Sequence, residues 1–313
     1  MINRVLLRIK IIQILYSYYK SGDKTALMVE KELFYSIEKT YDLYYHLLNL
    51  AIAITDYAVQ KTEARKNKLR PTAEDLNPNT RFTDNLFLNQ LRNNSQLNAY
   101  LLERKLSWVN YPQVIKELHE EIMNSELYGE YIASPAGNYE LDKEFWRKIF
   151  KKVILTSETL DESIEEQSIY WTDDVEIVTS FIIKTIKRFD QNAKNDQALL
   201  PMFKDEEDAD FARKLLKGVL KNGDSYREMI DQNTRNWELE RIAFMDTLIM
   251  EVAMSELMDF PTIPVNVTLN EYIEIAKNYS TDKSGTFING VLDNIVSQLK
   301  EQNKLMKVVM FSK

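Results

Sequence analysis

The stretch FARKLLKGVL, residues 211–220, puts Phe211, Leu215, Leu216, Val219 and Leu220 on a single stripe of a helix. The same 3.6-residue periodicity recurs along most of the chain, and no segment shows the two-residue alternation of a convincing strand. Only 7 glycines and 7 prolines punctuate 313 residues. With so few breakers, long helices and few tight turns are favoured, and the expected fold class is all-α. A chain of this length can form one large domain or two modest ones.

Breaks are expected where polar and breaker residues gather: 71–80 (PTAEDLNPNT), 134–140 (SPAGNYE), 191–210 and 259–267 (DFPTIPVNV). The acidic run KDEEDAD at 204–210 reads as a solvated loop. At the N-terminus, MINRVLLRIKIIQILYSYYK carries Arg8 and Lys10 inside its apolar run and has no small-residue cleavage site, so it reads as a buried helix and not a signal peptide. Nowhere are there about 18 uninterrupted apolar residues, so no membrane span is expected and a cytoplasmic location is the default.

Compared with itself, the chain shows one internal similarity. Residues 144–171 lie over 210–237 without a gap, matching Phe145 with Phe211, Arg147 with Arg213, Lys151 with Lys217, Val153 with Val219 and Trp171 with Trp237. This suggests a helical module present twice. Chance agreement between two amphipathic helices is the competing explanation.

Several chemistries are excluded by composition. Without cysteine there is no disulfide, no thiolate metal site and no cysteine nucleophile. The two histidines, His46 and His119, stand far apart with no metal-ligand spacing around either. No catalytic constellation or phosphate-binding glycine loop can be assembled, so the chain reads as no enzyme, with no cofactor and no metal. A formal net charge of -8 argues against general attraction to polyanions, and any nucleic-acid contact must be a local patch.

The C-terminal third is the most informative part. Ile242, Met245, Leu248, Ile249, Val252, Ala253 and Leu257 follow helical spacing and read as a central core helix, which Pro261 and Pro264 terminate. Thr268, with Glu271 three residues later, has the spacing of a capping box at the start of the next helix. Then comes FINGVLDNI, where Asn289 and Gly290 sit in a helix interior that neither favours. The expectation is that Gly290 lets a neighbour approach closely and that Asn289 anchors backbone beneath a binding loop. Ser284 is the candidate N-cap of this helix, and Phe287, Val291, Ile295 and Leu299 its buried stripe.

The order of these parts, a helix ending in SEL, then LNEYIEIAK, a short polar loop and FINGVLD, resembles the NusB family of bacterial transcription antitermination factors. Arg4, Arg8, Gln13, Leu15 and Tyr16 fit the R…R…Q.LY pattern of that family's first helix, and Phe211, Arg213, Leu215, Leu216, Gly218 and Val219 fit a later F.R.LL.GV. The resemblance covers residues 1–20 and 208–313, leaving 21–207 as an inserted helical region that includes one copy of the repeated module. Two departures stand out: Glu251 replaces a common arginine of the central helix, and the N-terminal arginine cluster is thinned to Arg4, Arg8 and Lys10.

The resemblance implies two helical bundles and a non-enzymatic recruitment role. It implies binding of boxA-type RNA together with NusE, a ribosomal protein of the small subunit, in a transcription elongation complex that supports ribosomal RNA synthesis. Candidate RNA contacts are Arg4 and Arg8 on one face of the first helix, the weaker Lys10, the rings of Tyr16, Tyr279 and Phe287, and Lys277 and Lys283 around the loop before FINGVLD. The first helix and the 277–287 loop are expected to meet and form one site. For the arginines, pairing with neighbouring acids is an equal alternative, and for Phe287 a place in the core. Glu240 and Asp246 are the candidate contacts for the basic ribosomal protein, with a place as ordinary helix-surface acids the equal alternative. The alternative function is a helical interaction scaffold that has lost RNA binding.

Overall fold

The computed structural model describes residues 1–234 and 243–307. In chain order the helices are α1 (Arg4–Ser21), α2 (Ala26–Lys66), α3 (Ala73–Leu76), α4 (Leu86–Arg92), α5 (Ser95–Arg104), α6 (Pro112–Asn124), α7 (Glu126–Ala133) and α8 (Tyr139–Lys152). They continue with α9 (Glu158–Gln167), α10 (Val175–Arg188), α11 (Glu206–Thr234), α12 (Phe244–Asp259), α13 (Val265–Tyr279) and α14 (Ser284–Glu301). The fold is all-α: the described residues form no strand, and only an isolated parallel bridge joins Ile2 to Phe203. Among the described residues no helix is long and apolar enough to cross a membrane.

The chain divides into two compact units, one of residues 38–202 with Met1 and the other of residues 2–37 and 203–313. In the first, α8 packs on α4, α7 and α10, and α6 on α7 and α9. Its core holds Trp146, Phe87, Phe150, Tyr44 and Tyr45. Tyr44 donates to or accepts from the Thr185 hydroxyl at 2.7 Å, and the Trp171 indole donates to the Lys39 carbonyl at 2.6 Å, so the large rings bury their polar ends satisfied.

In the second unit α12 is the centre, in contact with α1, α11, α13 and α14. Every residue from Leu248 to Leu257 is buried, including Glu251 and Glu256. A helix apolar on nearly all sides has to sit inside. α1 packs on α11 and α12 through Leu6, Leu7, Ile11, Ile12 and Leu15.

Four local expectations are corrected. The acidic run is no loop: Glu206, Glu207 and Asp208 form the first turn of α11, where carboxylates suit the positive end of the helix dipole. Thr268 caps nothing; α13 starts at Val265 after Pro264, and the Thr268 hydroxyl lies buried, donating to Glu256 at 2.9 Å. Ser284 is the first residue of α14, not its N-cap, and its hydroxyl accepts from the Thr281 amide at 3.1 Å. The two similar segments also fold differently. Residues 144–167 are helix, break and helix, because Val153 and the short turn at Ile154–Thr156 end α8, whereas α11 runs unbroken to Thr234. Trp237, the residue matched to Trp171, lies outside the described residues.

The glycine that permits close approach is also not the expected one. Around Gly290 a Cβ would meet nothing within 4 Å, and both Asn289 and Gly290 are exposed, so neither packs beneath a loop. Gly218 of α11 is buried instead, and a Cβ there would run into the Ser255 hydroxyl and the Asp259 carboxylate of α12. It is the backbone of α11 at Gly218 that sets how closely α11 and α12 approach.

Candidate nucleic-acid interface

Arg8 belongs to the core. Its guanidinium donates from Nε to Glu256 Oε2 at 2.7 Å and from Nη2 to Glu256 Oε1 at 2.8 Å, with Nη1 reaching Glu271 Oε2 at 3.1 Å. Glu256 also accepts from Thr268 and, at 3.1 Å, from the Tyr272 hydroxyl. The fork of the guanidinium matches the carboxylate, and the remaining lone pairs are satisfied, which is what a buried ion pair requires. The Arg8 side chain is 4% exposed, so it is corrected from a phosphate contact to a packing element. Lys10 is buried as well and leaves the site for the same reason.

Arg4 is part-exposed but engaged. Its guanidinium lies 3.5 Å from Asp208 and 3.8 Å from Glu207, over the Phe211 ring. These are the acids of the first turn of α11, so the N-terminal end of α1 is neutralised where free cations were expected.

Twelve residues along α1 lies Tyr16, about 18 Å away at the rise of an α-helix. Here the surface is different. Tyr16 is 40% exposed and Phe244, the first residue of α12, 39% exposed, with their rings edge to face at 5.6 Å. The Lys20 ammonium lies 4.6 Å from the Phe244 centroid and 5.7 Å from that of Tyr16. Tyr19 closes the group, 6.2 Å from Phe244. Two exposed rings with a cation above them form a surface on which an unstacked base can lie with its phosphate nearby.

The loop between α13 and α14 is tied to the same turn of α12. Asp246, two residues beyond Phe244, accepts from the Ser280 hydroxyl at 2.6 Å, and Ser284 donates on to Ser280 at 3.1 Å. Asp246 is buried, so it is corrected from a partner-facing acid to the anchor of this loop. The loop carries Lys283, which is exposed, and begins beside Tyr279, which is half-buried. Lys277 is exposed and paired with Glu274, its stem lying over Gly285. Phe287 is half-buried at the start of α14. The first turn of α12 thus joins the C-terminal end of α1 to the 280–284 loop, whereas Arg4 and Arg8 belong to the other end of α1. Glu240 lies outside the described residues.

Sequence reasoning missed Lys20 and Phe244. Phe244 is absent from the core positions that helical spacing assigns to this helix, and its place in the first turn leaves it exposed. The spacing of Tyr16 and Lys20, one turn apart on α1, was the available signal.

The departure at residue 251 also has a local explanation. Glu251 is buried and accepts from the Arg227 guanidinium of α11 and, at 2.9 Å, from the Tyr19 hydroxyl. Burial raises its pKa against the pull of Arg227, and burial together with Glu251 raises that of the Tyr19 phenol. The cation comes from α11 and the anion from α12. Gly223 makes room for the arrangement, since a Cβ there would stand 3.1 Å from the Tyr19 hydroxyl.

The NusB family model matches residues 173–297, a span that begins inside the stretch assigned to the insertion. A transcription antitermination protein NusB of Salinibacter ruber is 39% identical over 132 residues, 40% of this chain and 82% of the relative. That of Bacillus subtilis is 45% identical over 98 residues, 31% of this chain and 75% of the relative. A solved structure of T. maritima NusB aligns at 25% identity over 51% of this chain and 96% of that one, with a TM-score of 0.29. With a relative matched over most of its length, the chain belongs to the NusB family of transcription antitermination factors.

Proposed function

We propose that this chain binds boxA-like RNA together with the ribosomal protein NusE and so supports transcription of ribosomal RNA, as a recruitment module without chemistry of its own. The observation that carries the reading is the exposed surface of Tyr16, Lys20 and Phe244, joined through Asp246 to the loop bearing Lys283. A single strand of RNA is recognised by stacking on rings and by cations beside its phosphates, and this surface supplies both within one local patch of an acidic protein. Tyr279, Phe287 and Lys277 flank it. Arg4 lies outside the proposed contacts because acids already neutralise it. Glu240 is retained as the acid that faces the basic ribosomal protein.

The test is binding of fluorescently labelled boxA-like RNA, with and without NusE, against a scrambled RNA at two salt concentrations. Selective binding that tightens with NusE is expected. Combining Tyr16→Ala with Phe244→Ala should weaken it by about 1–3 kcal/mol, the contribution of one stacked base. Lys283→Glu should lower the salt slope by about one, while Arg4→Ala should leave affinity nearly unchanged. NusE binding without RNA binding would favour the scaffold, a reading supported by the loss of Arg8 and Lys10 to the interior. Unaltered RNA affinity in the Tyr16 and Phe244 double variant would remove the surface from the account.

A further inference from the structure

The unit of residues 38–202 contains a cavity of about 450 Å³ that the RNA reading does not use. One wall is the last two turns of α2, where Ala58, Lys61, Thr62 and Arg65 share a face. Opposite are Phe82 and Tyr128, whose rings lie edge to face at 5.9 Å, and His119 of α6. The volume is that of a small-molecule site.

Two features of this cavity call for a ligand. The first is His119. It is 3% exposed, lines the cavity, and its Nδ1 is buried with no hydrogen-bond partner. Buried polar atoms are rarely left so; the Nδ1 of His46 is in the same state, but of the two rings only His119 lines a cavity that a ligand could enter. The second is charge. Among the described residues neither Lys61 nor Arg65 forms an ion pair with a carboxylate, although the exposed Glu74 also lines the cavity. Burial, and then the fields of Lys61 and Arg65, push the His119 imidazole down to about 4, so it is neutral near pH 7. The basic end of α2 suits the helix dipole, which explains cations there but not an orphaned ring nitrogen beside them.

The donor set suits an oxyanion with several oxygens. Lys61 is a point charge and Arg65 a fork, and the Asn79 side-chain oxygen accepts from the Arg81 backbone, while its amide has no partner among the described residues. The hydroxyls of Thr62 and Thr83 are already donating to backbone carbonyls and add no donor. Asn77 also lines the cavity, its side-chain amide turned to the Ala73 carbonyl, while Phe82, Tyr128, Ala58, Met123 and Pro78 give it an apolar and aromatic part that has no use for a bare ion.

We propose that this cavity binds a small phosphate monoester carrying a planar ring, with its phosphate between Lys61, Arg65 and His119 and its ring against Phe82 and Tyr128. The proposal does not depend on the RNA reading, since all of these residues belong to residues 38–202.

The chain has only two histidines, so imidazole resonances give a direct readout by NMR. His46 is the internal control, because its ring is stacked on Trp108 at 4.1 Å and bonded to Gln167 at 2.9 Å, away from the cavity lining. Adenosine monophosphate should move the His119 resonances in a saturable way and raise that pKa, since a bound dianion offsets the two cations. His46 should stay in place. Inorganic phosphate should act more weakly and adenosine hardly at all. Lys61→Ala with Arg65→Ala, both on the surface of α2, should weaken binding by about tenfold or more, with unmoved His46 resonances reporting an intact fold. A short 5′-phosphorylated RNA is the last arm. If it moves His119 and the mononucleotide does not, the phosphate belongs to nucleic acid and the small-molecule assignment fails. No movement with millimolar mononucleotide, equal movement in the double variant, or adenosine matching the monophosphate would also overturn it.

Discussion

Arg8 and Glu256 face each other across α1 and α12 with two parallel hydrogen bonds, at 2.7 and 2.8 Å, in a place with almost no solvent. Removing the cation leaves a carboxylate buried with only Thr268 and Tyr272 to hold it. Arg8→Ala should therefore cost about 3–5 kcal/mol in denaturant unfolding, as expected for one partner of a buried pair. RNA affinity of the fraction that folds should be unchanged. A variant of full stability with weakened RNA binding would return Arg8 to the surface role.

Gly218 and Gly290 should respond in opposite directions to the same substitution. At Gly218 a methyl group meets Ser255 and Asp259, and Ser255 is bonded to Asp259 at 3.3 Å. Gly218→Ala should destabilise by about 1–3 kcal/mol as an overpacked contact. Gly290→Ala, on an open helix face, should stabilise by about 0.5–1 kcal/mol through helix propensity. Thermal midpoints of the two proteins would separate these outcomes.

Asp246→Ala should act on the loop and not on a protein partner directly. The substitution frees the Ser280 hydroxyl and leaves Ser284 held by Thr281 alone. Amide exchange at residues 280–284 should accelerate, and RNA affinity should fall only through loss of loop order. Slow exchange preserved in the variant would show that the loop is held by other contacts.

Acid should destabilise the 38–202 unit earlier than carboxylate titration alone would. Burial holds His46 and His119 at about 4, below the ordinary 6.5. Above 6.5 both folded and unfolded chains carry neutral rings and the contribution is complete. As the pH falls from 6.5 towards 4 the unfolded chain takes up protons that the folded chain refuses, so stability declines across that window. Trp108, Trp146 and Trp171 all lie in this unit, and their fluorescence during denaturant titration would follow it. A flat profile between those pH values would contradict the burial of the rings.

Helical periodicity made the class of fold legible, because a face that must be buried leaves its 3.6-residue mark wherever the helix lies. It also located α12 as a core helix, since apolar residues on all sides admit no other place. What periodicity cannot carry is the identity of the partner across the interface. Arg4 and Arg8 stand on one face of α1, yet whether they meet phosphates or Glu207, Asp208, Glu256 and Glu271 depends on residues hundreds of positions away. The same limit applies to glycine: the local sequence offers Gly218 and Gly290 as equals, and only the packing of α12 tells them apart. Tyr16 was legible because a ring at the edge of an apolar stripe stays exposed, whereas Phe244 needed the position of the first turn of α12.

The Tyr41 hydroxyl donates to the Leu200 carbonyl at 2.9 Å, near the two ends of the segment 38–202. The chain therefore leaves on its long excursion and comes back at nearly the same point. A segment with its ends so joined is, to the rest of the chain, one closed loop, whose entropic cost grows only with the logarithm of its length.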